Sequence, residues 1–263
     1  MDTDDRPSYE PIGPSPGASA PGEEPRIGRF GRLLKVFASP TEVFEDIRRR
    51  PTWIAALLVL LVVAVGQVMV QAHYTDALAT AEQTLEMMGI DEVPREQLEA
   101  RTAAQEETRH LRAAGSSVVF VLGWIVSAAL FFLLLKLFGS EVGFAPVFST
   151  TLHAAVPPVT VRAVLLSGLL VHRGQQLTSM EIGRLLKSNL AAFLDPGAPL
   201  WMVTLAGSLD LFLVWRIVLL AIGLSVVGRV SRGKGAAAAV VVWGAFIAVM
   251  TLLTALPALF MGR

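Results

Sequence analysis

Five long apolar stretches divide the chain, at about 52–72, 113–135, 147–171, 209–228 and 236–260. An α-helix rises ~1.5 Å per residue, so ~20 apolar residues cross a bilayer core, and each stretch has about that length or more. The first, second and fifth carry no charge. The third holds His153, the pair Pro157 and Pro158, and Arg162, while the fourth holds Asp210 and Arg216. Flanked by uncharged spans, both are predicted to lie in the membrane, where neighbouring helices satisfy the carbonyls that proline frees. Pro199 to Met202 precede the fourth span and read as an interfacial or partly inserted segment. The pattern predicts an all-α fold, a polytopic membrane protein whose residues 52–262 form a five-transmembrane-helix bundle.

The polar segments have patterns of their own. Residues 1–25 are rich in proline and acidic residues with little to bury, which predicts a disordered tail. Across 26–51, Ile27, Phe30, Leu34 and Phe37 recur at helical spacing among Arg26, Arg29, Arg32 and Lys35, the pattern of an amphipathic basic helix on an anionic membrane surface. Ser39, Pro40 and Glu42 then predict a second helix start with a capping box; Arg48, Arg49 and Arg50 suit its carboxyl end, and Pro51 breaks it. In the loop 73–112, Leu78, Ala81, Leu85 and Met88 precede Gly89, and a further helix is expected from Pro94 through Leu98 into the second span. Together these make an external helical hairpin.

Charge sets the orientation. Arg48 to Arg50, Lys136, and the link holding Arg229, Arg232 and Lys234 fall on one side of a five-span chain. By the positive-inside rule that side is cytoplasmic, with the amino terminus there and the carboxyl terminus opposite. Arg109, Arg112 and Arg173 lie near span ends on the other side, against the trend. Residues are 53 % hydrophobic and 17 % charged, which favours a membrane protein over a soluble domain. Net charge is zero, so nothing argues for nucleic acid, and without cysteine there is no disulfide, thiolate metal site, cysteine nucleophile or palmitoyl site. The acidic start Met1 to Glu10 lacks a signal-peptide pattern. Composition points to a bacterial inner membrane.

Little in the chain carries catalytic chemistry. His73, His110, His153 and His172 have no metal-ligand spacing, and no nucleophile elbow or phosphate-binding loop occurs. Ser167-Gly168 reads as a helix-packing pair rather than a protease nucleophile. No cofactor or metal is predicted. The informative group is Arg162, Asp210 and Arg216, because each charge within a span costs about 2.5–3.5 kcal/mol on insertion scales and so faces the bundle interior or water. Counted from the outer ends, Arg162 and Arg216 are expected at similar depth, roughly 11–14 Å. They predict a polar cluster with Asp210, His153 and unwound carbonyls at Pro157 and Pro158, open to a lipid phosphate or other anion. The competing expectation is a structural ion pair with a snorkelling arginine. Arg29, Arg32, Lys35, Arg48, Arg49, Arg50, Arg229, Arg232 and Lys234 are the expected membrane-surface contacts.

The opening helix FASPTEVFEDIRRRPTW running into the first span, the Pro157-Pro158 span, and LFLVWRIVLLAIGLSVVGRVSRGKGAAAAV resemble the bacterial branch of the Yip-one domain family, the Ypt/Rab-interacting polytopic membrane proteins. The likeness extends over about Arg32 to Leu259. It implies five spans and a cytosolic amino terminus. In eukaryotic relatives it implies vesicle trafficking with prenylated Rab GTPases and partner membrane proteins. The clear DLYGP-type cytosolic motif of that branch is missing, which leaves Rab binding an open question for this chain, and the family supplies no catalytic residues.

These readings converge on a non-enzymatic membrane-organising protein or adaptor. Its expected partners are the lipid bilayer with its anionic head groups and proteins of unknown identity, and an oligomer is left open. The alternative is a small transporter or channel-like protein for an anion or lipid, using Arg162, Asp210 and Arg216.

Overall fold

The structure, a computed structural model, describes residues 28–90, 93–195 and 197–260; the expected tail at 1–25, with Arg26 and Ile27, lies outside them. The described chain is helical, with only two isolated bridge pairs. Helices α1 (Arg29–Lys35) and α2 (Pro40–Arg49) lead into α3 (Ile54–Tyr74). After α3 come α4 (Ala77–Met88), α5 (Arg95–Glu107) and α6 (Arg109–Leu137). Next are α7 (Phe144–Arg173), α8 (Ser179–Leu185), a 3-10 turn at Leu190–Phe193, α9 (Leu200–Ser208), α10 (Leu211–Gly228) and α11 (Arg232–Phe260). Among the described residues five helices are long and apolar enough to cross a bilayer: α3, Ser117–Leu137 of α6, α7, α10 and Arg232–Leu256 of α11. They alternate in direction. One end of the bundle, the near end, carries α2 and the short α6–α7 and α10–α11 links; the far end carries α4, α5, α8 and α9.

Local chemistry explains most boundaries. Asp76 caps α4 by accepting from the Ala79 N–H at 2.9 Å, and Gly89, at φ 69°, ends it in a left-handed conformation open to glycine. The continuous helix expected from Pro94 into the second span breaks at Thr108, between α5 and α6. Pro40 opens α2 as expected, but Ser39 makes no side-chain cap and Glu42 forms an ion pair with Lys35 instead of closing a capping box. A basic partner one turn of chain away competes successfully with a backbone N–H for that carboxylate.

α2 does not lie on the membrane by its apolar face. Val43, Phe44 and Ile47 are fully buried against α7 and α10, together with Val36, Phe131, Leu135, Leu220 and Leu224. A methyl on Gly223 would stand 2.5 Å from Thr150 Cγ2 and 3.0 Å from the Phe44 ring, so only glycine lets the three helices meet this closely. Small residues at such crossings suit association in lipid, where van der Waals packing rather than water exclusion holds helices together. α1 differs: Phe30 and Leu34 are exposed, an apolar edge suited to the interface.

α7 divides the bundle into two kinds of packing. From Val147 to Pro158 every residue is buried, whereas 159–163 are only partly covered. The helix passes through Pro157 and Pro158 without a break, so the unwinding expected there does not occur. Both prolines are buried, and packing on all sides holds the helix where two backbone bonds are lost.

Candidate functional site

At the near end, Arg32 is 4 % exposed and therefore not the membrane-surface contact its helical spacing suggests. Its Nε donates to Asp46 Oδ2 at 2.6 Å, and its Nη1 donates to the Arg50 carbonyl at 3.0 Å and Thr52 Oγ1 at 2.7 Å. A guanidinium with these partners clamps α1 to both ends of the α2–α3 connection. Next to it, Ser149 Oγ donates to the Thr52 carbonyl at 2.9 Å, and His153 Nδ1 lies 2.8 Å from the Ser149 carbonyl, which assigns the proton to that nitrogen. His153 thus belongs to this buried near-end network, about 13 Å along α7 from Arg162.

Two of the other basic candidates, Arg48 and Arg229, line a cleft of about 400 Å³ together with Ser140, Glu141, Pro146 and Gly228. Two hydrogen bonds hold its walls. Ser140 Oγ donates to the Gly228 carbonyl at 2.7 Å, and Lys234 Nζ donates to the Phe138 carbonyl at 3.1 Å. Arg29, Arg49, Arg50, Arg229, Arg232 and Lys234 are exposed, Lys35 is exposed but paired with Glu42, and Arg48 is half-buried in the cleft wall. The arrangement places several cations on one rigid face around a polar recess.

The intramembrane charges are arranged otherwise than their spacing suggests. α10 begins at Leu211, so Asp210 stands at its cap rather than inside it. Asp210 Oδ1 accepts from the Phe212 N–H at 2.6 Å, Oδ2 accepts from Ser188 Oγ at 3.0 Å, and Arg162 Nε approaches Oδ2 at 3.8 Å. Arg162 is therefore level with Asp210. Arg216 lies six residues, about 9 Å, deeper on another face of α10. The expected common depth fails because α7 continues to Arg173 while α8 and the 3-10 turn fold back, starting α10 below the end of α7. Arg216 stacks on Trp243 of α11, its guanidinium carbon 4.4 Å from the ring centroid. Stacking of this kind contributes about 2 kcal/mol or more when desolvated. It offsets part of a cost of about 2.5–3.5 kcal/mol and leaves the charge unneutralised.

Trp243, Asp46, Thr52 and Ser188 are absent from the sequence-based candidates. A usable signal existed for Trp243: tryptophan favours membrane interfaces, and this one sits in the middle of a span. The partners of Arg32 had no signal, since their register depends on the turn between α1 and α2. A cavity of about 550 Å³ at the far end, between α4, α5 and the end of α3, includes Thr80, Thr84, Leu98 and Arg101 and touches none of the charged candidates.

Comparison with known proteins adds family context. The model of the Yip1 domain family matches residues 34–253. The membrane protein YknW of Bacillus subtilis (strain 168) is 24 % identical over 218 residues, covering 82 % of this chain and 86 % of the relative. No solved structure matches.

Proposed function

This chain belongs to the Yip1 domain family of membrane proteins, and from that footing we propose that it is a non-enzymatic adaptor that organises the membrane by holding a partner protein on its near end. The observation that carries the reading is the recess between Arg48 and Arg229, about 400 Å³, lined by α2, the α6–α7 link and the end of α10, the last two tied by the Ser140–Gly228 hydrogen bond. Its two arginines, offset in part by Glu141, suit an acidic segment, with anionic head groups around the rim. The positive-inside rule puts this face in the cytoplasm, the amino terminus with it and the carboxyl terminus across a bacterial cytoplasmic membrane. Unbroken burial along Val147–Pro158 supports a closed bundle, and so favours this reading over a transport path through Arg162, Asp210 and Arg216.

Crosslinking with mass spectrometry in native membranes tests it. The Arg48→Gln/Arg229→Gln double variant is expected to insert normally and lose most crosslinks made from the near end. An unchanged partner set would reject the proposal.

A further inference from the structure

Three charged side chains line the near-end recess: Arg48 of α2, Glu141 of the α6–α7 link and Arg229 at the end of α10. Among the described residues none of the three has an ion pair, although two cations and a carboxylate share one space. Elsewhere at this end opposite charges do pair, Arg32 with Asp46 and Lys35 with Glu42. Ser140, in the same lining, is engaged in the scaffold: its hydroxyl donates to the Gly228 carbonyl at 2.7 Å and accepts from the Val142 N–H at 3.3 Å. Arg229 also stands at φ 50° and ψ 39°, a left-handed conformation that glycine adopts most easily. Lys187 is the one other non-glycine residue with positive φ among the described residues. The neighbouring glycine, Gly228, is committed to packing, because a methyl there would stand 3.0 Å from Leu135 Cδ2. A long cationic side chain kept where the backbone favours glycine points to use rather than to folding.

Glu141 decides what the partner must carry. A purely acidic segment seated on Arg48 and Arg229 would meet Glu141 as a like charge, and like-charge contacts work against a partner. We infer that the recess takes a segment of mixed charge, an acidic side chain seated on Arg48 and Arg229 and a basic one, a few positions away, on Glu141. The volume agrees. About 400 Å³ is near the small end of ligand sites and suits a few side chains rather than a folded element. Glu141 then acts as a filter: it turns away polyacidic segments that the two arginines alone would accept. The inference rests on the adaptor reading and narrows the partner that reading requires.

The test uses the full chain in native membranes and an amine-reactive crosslinker. Lys136 is exposed three residues before Gly139, where the recess lining on that link begins, and serves as the anchor. Mass spectrometry reads the captured segments, which are expected to carry an acidic and a basic residue within a few positions of each other. Glu141→Gln, at an exposed residue without an ion pair, keeps the fold and should lower capture about two- to fivefold, as for loss of one partly exposed pair. A recess for purely acidic segments predicts the opposite, a rise, because a like charge has gone. Arg229→Gly should lower capture several-fold while the melting temperature holds, glycine being at ease in the left-handed turn. A rise or no change in Glu141→Gln, capture of purely acidic segments, or wild-type capture in Arg229→Gly overturns the inference. The adaptor reading survives those results as long as the Arg48→Gln/Arg229→Gln double variant loses its partners. Capture that persists in the double variant rejects that reading itself.

Discussion

The two halves of α7 are made of similar residues and do different things. Toward the near end its threonines, serine, histidine and prolines are all buried; Thr151 Oγ1 donates to the Val147 carbonyl at 2.9 Å and Ser149 to Thr52, while Thr150 Oγ1 has no partner. Toward the far end the helix is half-covered, and Thr160 Oγ1 and Gln67 Nε2 of α3 are buried there without partners. What separates the halves is coverage: a stretch packed on every side holds the bundle together, and a half-covered one contributes less.

Substitutions in the two halves should therefore have unequal effects. Phe44→Ala removes the side chain that α2 inserts between α7 and α10 and is expected to cost about 3–5 kcal/mol, read as a fall in the melting temperature of the detergent-solubilised protein. Asp46→Ala leaves the Arg32 guanidinium with only neutral partners and should cost about 2–3 kcal/mol in the same melt. It should also expose α1 to limited proteolysis while the five spans stay intact. Gly223→Val crowds Thr150 and the Phe44 ring, and about 1–3 kcal/mol of destabilisation is expected. Its counterpart Gly168→Val, where no atom lies within 4 Å of the added carbon, should shift the melt little. Equal losses at Gly223 and Gly168 would erase the distinction between the halves.

Much of this architecture was legible beforehand. Apolar run length located five spans, and the Leu78–Met88 spacing with Gly89 located α4. Hydrophobic periodicity tells which face of a helix is apolar but not what covers it. The apolar stripe of α2 reads equally well as a lipid contact or a protein contact, and it proved to be the latter. Charges resisted for a related reason. Arg32 sits in a basic run and reads as surface until Asp46, fourteen residues on, folds against it. Arg162 and Arg216 were aligned by counting from span ends, a method that assumes helices start level. The 9 Å offset came from the folded-back segment between them, whose path is written in tertiary bonds rather than in any local motif.

That segment has its own consequence. The Leu190 N–H donates to the Leu209 carbonyl at 3.3 Å and the Leu211 N–H to the Ser188 carbonyl at 2.9 Å, so the strands entering and leaving 191–208 are tied at a neck. Beyond the neck lies a closed detour whose two ends are fixed together, with α9 at its end packed on α11. Because closure entropy grows only with the logarithm of loop length, each doubling costs about 0.6 kcal/mol. The part of the detour before α9 can thus change in length while Asp210 stays level with Arg162, a natural position for grafting a reporter.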